Sequence, residues 1–132
     1  GSRALSTDVG VPISRLAECL AETAADIGRS GLVAPVVGHV GDGNFHLLVL
    51  LDPGDEAQLA TAKAFHRRLV ERAIALDGTC TGEHGVGTGK MPFLEQELGE
   101  AVDVMRSIKR ALDPGNIMNP GKIFALDREA GR

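Results

Sequence analysis

The chain has no tryptophan, no tyrosine and only four phenylalanines in 132 residues, so it offers no aromatic platform on which bases or sugar rings could stack. Basic residues are outnumbered, 14 Lys and Arg against 18 Asp and Glu, and they are dispersed along the chain, which carries a net charge of -4. That excludes the electrostatic footprint of a nucleic-acid partner. No apolar run approaches the roughly 20 residues needed to cross a bilayer, and no signal-peptide pattern opens the chain, so the piece is expected to be soluble, without a transmembrane segment. The two cysteines, Cys19 and Cys80, are far apart and in no CxxC pattern. They are expected to be reduced thiols of an intracellular, cytoplasmic protein.

Several catalytic signatures are missing too. Neither HExxH nor GxSxG occurs, which leaves the common zinc and serine routes to hydrolysis without support. Gly85, Gly87, Gly89 and Lys90 do not make a phosphate loop, because GxxxxGK[ST] would need a glycine at His84 and a hydroxyl at Met91. These glycines alternate singly and do not fit GxGxxG either; they are better suited to close backbone approach or positive φ.

What remains is a chain with 43% hydrophobic residues and a core made mainly of Leu, Val, Ile and Ala. Asp8 to Pro12 reads as a short strand. Ser14 is expected to cap a helix with Leu16, Leu20, Thr23, Ala24 and Ile27 at helical spacing, ending near Gly28 to Gly31. A β-hairpin follows, and then a helix from about Glu56 to Leu76 with an apolar stripe of Leu59, Ala62, Phe65, Leu69, Ala73 and Leu76. Pro92 could open a short helix. Another runs from about Glu100 to Leu112 with Val102, Met105, Ile108 and Leu112 inward, and the tail NIMNPGKIF is apolar enough to dock. The expected fold class is α+β: an antiparallel sheet with helices on one face, a ferredoxin-like β-α-β-β-α portion, followed by a small C-terminal helical segment. In domain terms, residues 1–90 and 91–132 are expected to be two parts of one domain.

The hairpin carries the chemistry. In GHVGDGNFH the arms Val36 to Val40 and Phe45 to Leu51 are β-prone, and Asp42-Gly43 is a two-residue turn signal. With that turn, His39 faces His46, and Asn44 shares their side of the sheet while Val40, Phe45 and Leu47 point away. Two facing imidazoles with Glu83, from TGEHGVG downstream, make a donor set suited to Zn, Mn, Fe or Co. The bland alternative is a pair of hydrogen-bonded strand histidines and a surface glutamate. His66 reads as an ordinary helix histidine, and Cys80 as a small buried residue.

GHVGDGNFH, TCTGEHGVG and LDPGNIMNPGKIF, in this order and spacing, resemble the C-terminal part of the FAD-linked oxidases that act on 2-hydroxy acids. The group includes D-lactate dehydrogenase (cytochrome), glycolate oxidase flavin subunits and D-2-hydroxyglutarate dehydrogenase. STDVGVPISRL looks most like the D-lactate branch. The resemblance implies metal ligands at His39, His46 and Glu83, a substrate contact at Asn44 and a catalytic base at His84. It also implies a segment near the flavin at Asn119 and Lys122. It further implies FAD and a divalent metal as cofactors, a small 2-hydroxy acid as substrate, and a cytochrome or quinone as electron acceptor. The parent would be an enzyme, cytoplasmic or peripheral to the inner membrane. The FAD-binding domain of such enzymes is missing here, so the chain is expected to be a portion of a larger flavoenzyme, inactive alone. Two other readings stay open: a stand-alone metal- and acid-binding module without redox activity, or a structurally competent but inert fragment.

Overall fold

A computed structural model describes residues 3–126. They fall into two compact units, Gly1–His84 and Gly85–Arg132.

In the first unit the element order is β1 (Arg3–Ser6), β2 (Val9–Gly10), α1 (Ile13–Ser30), β3 (Val36–His39), a 3₁₀ turn (Val40–Asp42), β4 (Asn44–Leu51) and α2 (Glu56–Ala75). Strand β4 is the centre of an antiparallel sheet. Along one edge it pairs with β1 from Arg3↔Leu51 to Ser6↔Leu48, and with β2 from Val9↔Phe45 to Gly10↔Asn44. Both stretches keep one register, so β1 and β2 are a single strand interrupted at Thr7 and Asp8, which lie opposite Leu47 and His46. The other edge pairs with β3, from Val36↔Leu47 to His39↔Asn44.

Alternation along β4 separates two faces. Phe45, Leu47, Val49 and Leu51 are buried with Phe65, Leu69, Val70 and Ala73 of α2, while Leu48 and Leu50 on the other face are exposed. The sheet is thus a partition, with an apolar core behind it and the site in front.

Helix α2 is capped by Asp55, whose carboxylate accepts the Gln58 N–H at 2.8 Å. Helix α1 starts two residues earlier than expected: Pro12 holds the cap position without a side-chain bond, and Ser14 lies inside the helix. Its buried stripe is Leu16, Cys19, Thr23 and Asp26, one face at helical spacing, whereas Leu20 and Ile27 are half-buried and Ala24 is exposed. The buried Asp26 carboxylate is gripped by Arg68 of α2 at 2.9 and 3.0 Å and by Arg72 at 3.2 Å. Hydrogen bonding from Arg68 above all holds its pKa below the usual carboxylate range.

The second unit contains α3 (Met91–Leu98) and α4 (Ala101–Leu112). Here the expected inward stripe is corrected. Val102 is buried and Met105 half-buried, but Ile108 is 54% exposed and Leu112 74% exposed, and the polar Arg106 is buried instead. Arg106 is drawn in by Glu95 and Asp103 and donates to the Ala125 carbonyl at 2.7 Å. Of the apolar side chains of the NIMNPGKIF tail, Ile117, 82% exposed, Met118, 55% exposed, and Ile123 stay out, while Phe124 is half-buried against the Arg106 guanidinium. The tail backbone is tied down as well: the Ile117 and Met118 N–H groups donate to the Asp113 carboxylate at 3.0 and 2.9 Å.

Candidate metal and substrate site

The hairpin closes differently from the two-residue turn that Asp42-Gly43 suggests. Val40 to Asp42 form a 3₁₀ turn, and Gly43 at φ 70° returns the chain to β4. A Cβ on Gly43 would fall 2.0 Å from the Val11 carbonyl oxygen, so only glycine fits. His39 therefore pairs with Asn44, and His46 with Val37. The register is displaced by two residues from a His39–His46 pair. An even displacement leaves every side chain on its expected face, whereas a displacement of one would have reversed them all. His39 and His46 become diagonal neighbours on the open face, their rings 6.2 Å apart and nearly perpendicular. Val40, expected on the apolar face, is exposed in the turn.

Glu83 arrives from the segment after α2. One carboxylate oxygen lies 3.0 Å from His46 Nε2 and the other 3.8 Å from His39 Nε2. One ligand atom from each of His39, His46 and Glu83 can be chosen so that all lie within 4.8 Å of one another. His84 does not point away from this group as a fully extended backbone would require. Its ring stacks on His46 at 4.9 Å with 13° between planes, and its Nε2 is 3.8 Å from Glu83. Together with Ser6, Val37, Gly38 and Leu48 these four residues line a cavity of about 430 Å³.

His46 is the fixed member, largely buried, while the side chains of His39, Glu83 and His84 are about half exposed or more. The strand interruption explains how it is fixed. Thr7 N donates to the Leu47 carbonyl at 3.0 Å as the ladder requires, but the return bond from Leu47 N goes to the Thr7 hydroxyl at 2.9 Å. The Thr7 carbonyl is thereby released from the ladder and lies 3.1 Å from His46 Nδ1. A carbonyl can only accept, so Nδ1 donates to it, and Nε2 is the ring nitrogen turned toward Glu83.

Asn44 is buried and does not line the cavity. Its amide nitrogen donates to Asp8 at 2.9 Å and to the Val9 carbonyl at 3.1 Å, two acceptors that fix the amide orientation. Its amide oxygen has no hydrogen-bond partner among the described residues. Gly82 lies so close that a Cβ there would fall 1.6 Å from the Asn44 amide nitrogen. Asn119, at φ 46°, and Lys122 belong to the second unit, where with Lys109, Asn116 and Phe124 they line a cavity of about 660 Å³. His66 lies on α2, and Cys19 and Cys80 are buried free thiols. Burial pushes the Cys19 thiol pKa up, which makes it a poor nucleophile.

Sequence reasoning passed over Thr7, Asp8 and Thr81. An acidic residue opening an apolar strand was the only signal for Asp8, and its partners lie 36 to 76 residues away.

The family model described as FAD linked oxidases, C-terminal domain, matches residues 1–123. The chain belongs to the FAD-linked oxidases. It is 52% identical over 127 residues to a probable mitochondrial D-lactate dehydrogenase of Danio rerio, covering 96% of this chain and 26% of the relative. To the mitochondrial D-lactate dehydrogenase [cytochrome] of Arabidopsis thaliana it is 50% identical, covering 94% and 22%. To glycolate oxidase subunit GlcD of Bacillus subtilis it is 39% identical, covering 91% and 26%. The chain thus spans about a quarter of the length of these FAD-linked oxidase relatives. No helix among the described residues is long and apolar enough to cross a membrane.

Proposed function

We propose that this chain is the metal- and substrate-binding portion of a flavin-dependent D-2-hydroxy-acid dehydrogenase, with D-lactate as the favoured substrate. The observation that carries the reading is the convergence of His39, His46 and Glu83 beside His84 in one open cavity. Two imidazoles and a carboxylate are the donor chemistry of a divalent transition metal with positions left open for substrate. Donor atoms about 2 Å from a tetrahedral ion lie roughly 3.3 Å from each other. The 3.0 Å from His46 Nε2 to one Glu83 oxygen is close to that value, and the 3.8 Å from His39 Nε2 to the other oxygen is somewhat longer. The pairing of His46 Nδ1 with a backbone carbonyl is the outer bond that metal-binding histidines use to fix tautomer and orientation.

A divalent ion held there would supply Lewis acidity, lowering the pKa of the substrate hydroxyl, and FAD would accept the hydride. His84 takes the hydroxyl proton in this reading, which is supported by its ring standing against His46 and lining the same cavity. Val37 and Leu48 give the cavity an aliphatic wall, compatible with a short alkyl substituent. Asn44, buried beneath the cavity, is proposed to serve substrate binding through its unpartnered amide oxygen, which a donor could reach only if the buried site opened toward it. Asn119 and Lys122 are proposed to approach the flavin, and a cytochrome or quinone to receive the electrons. The two thiols, free and buried, suit a reducing compartment such as the cytoplasm.

Elemental analysis of the purified chain tests this reading directly. About one equivalent of a transition metal is expected, and His39→Ala, which removes one of three protein ligands, is expected to lose it. A wild-type chain without metal after incubation with Zn²⁺, Mn²⁺, Fe²⁺ and Co²⁺ would overturn the metal assignment.

A further inference from the structure

A second donor set overlaps the first: ligand atoms of Asp8, His46 and His84 also lie within 4.8 Å of one another. Its chemistry is different, because the Asp8 carboxylate is already occupied. It is fully buried, and it accepts from Asn44 Nδ2 at 2.9 Å, from the Thr81 hydroxyl at 2.9 Å and from His84 N at 2.9 Å. The Glu83 N–H adds a fourth donor, shared between the two oxygens at 3.2 and 3.1 Å. An ionised carboxylate has about four lone-pair sites, so four donors leave none for a metal. Nor is His46 Nδ1 available, since it donates to the Thr7 carbonyl.

We propose, on the basis of the site reading above, that Asp8 is the positioning residue of this site. It is a buried anion that holds the backbone of Glu83 and His84 against the strand carrying Asn44 and His46. The sheet explains why an acid at this position can do so. Asp8 shares one continuous register with β1 and β2 and lies opposite His46, so its side chain rises on the site face. Thr81 to His84 contain no helix or strand of their own; the Thr79 hydroxyl ties the Thr81 backbone, and the carboxylate ties the Thr81 hydroxyl and the Glu83 and His84 N–H groups. Two consecutive N–H groups aimed at one carboxylate fix where the next atoms of both residues leave the backbone. The Glu83 carboxylate is thereby set at the Nε2 edge of the His46 ring and the His84 ring against its face. One residue thus sets a proposed ligand and a proposed base without touching substrate.

The test uses the metal-free full chain and Co²⁺ as probe. In the wild type, the Glu83 and His84 amide protons are expected to exchange with solvent at least tenfold more slowly than those of Gly85 and Gly87. Exchange as fast as those glycines would overturn the proposal, and this measurement stands whether or not any variant folds. Asp8→Asn keeps the size but turns one acceptor into a donor facing donors. It is expected to abolish the extra protection at Glu83 and His84 while the core amides of Phe65 and Leu69 stay protected, and to weaken Co²⁺ binding about 10- to 100-fold. Retained protection and unchanged Co²⁺ affinity in a folded Asp8→Asn chain would overturn it as well. Failure of the wild type to bind Co²⁺ would count against the metal reading alone, since the exchange measurements contain no metal.

Discussion

The two units handle their apolar residues in opposite ways. In Gly1–His84, the inner face of β4 and the facing stripe of α2 are closed on one another, and Phe45, Phe65, Leu47, Leu69 and Val49 are fully or almost fully buried. In the described part of Gly85–Arg132, only Phe93, Leu94 and Val102 form a buried apolar group, while Val104, Ile108, Leu112, Ile117, Met118 and Ile123 are exposed. The second unit is organised instead by charged groups bonded to backbone: Arg106 to the Ala125 carbonyl, Asp113 to two tail N–H groups. Burial of apolar area scales with the surface removed from water, whereas a half-exposed ion pair contributes little. The unit that carries the proposed site therefore has a rigid apolar backing, and the second unit holds its tail by polar bonds.

The contrast is broken most forcefully from within the first unit. Phe65 is completely buried, and Phe65→Ala deletes a large core side chain with little room to collapse. A loss of about 3–5 kcal/mol is expected, measured by urea denaturation followed by circular dichroism. A loss under ~1 kcal/mol would mean that the two units do not differ as their burial indicates.

Asp26→Asn probes the polar clamp between α1 and α2. It keeps the volume and removes the charge that Arg68 and Arg72 approach. Hydrogen bonds to charged groups are worth about 1.5–3 kcal/mol each, but Arg68 is nearly half exposed, so a net loss of about 2 kcal/mol is expected. Thermal unfolding should report it as a fall of roughly 6 °C in Tm. The sign with pH follows from a depressed pKa: the contribution is present above the unfolded value and is lost as pH falls through the folded one.

How much of this could be read from sequence depended on the range of the interactions. Helix α2 and the faces of β4 rest on local periodicity, and both were legible apart from Leu59, which belongs to the expected α2 stripe but lies exposed in the first turn of the helix. The hairpin register was not, because the loop is closed by a 3₁₀ turn and by Gly43 against Val11, a residue thirty-two positions earlier in the chain. The faces survived since the displacement was even. Helix α4 was misjudged for a different reason: Val102, Met105, Ile108 and Leu112 have the right spacing for an inward stripe, but Arg106 is drawn inside by Glu95 and Ala125. Periodicity counts apolar residues and is blind to a guanidinium with buried partners. The Thr7–Asp8 interruption was invisible on the same grounds, since its meaning lies in bonds to Asn44, His46 and Thr81 to His84.

Acid should loosen the second unit's tail. The Asp113 carboxyl is held down to about 2, first by Lys109 and then by the Met118 and Ile117 N–H groups. Its folded pKa lies below the unfolded value, so the contribution is complete above about pH 4 and lost as pH falls toward about 2. NMR titration should show the Ile117 and Met118 amide protons moving together in that window. The same amides in Asp113→Asn should be indifferent to pH there. If they titrate unchanged, the carboxylate does not organise the tail.

The smallest effect is the most discriminating. Ile108 sits on α4 with its side chain 54% exposed, at a spacing that sequence periodicity assigns to a core. Were it a core residue, replacing it with serine would cost several kcal/mol, from lost burial and a buried hydroxyl. As an exposed residue, Ile108→Ser should change stability by no more than about 0.5 kcal/mol in the isolated chain, measured by the same urea denaturation as Phe65→Ala. A large loss would show that α4 buries this face in solution. A negligible one would establish that this face contributes no packing energy to the chain, so the second unit's stability rests on Phe93, Leu94, Val102 and the bonds of Arg106 and Asp113.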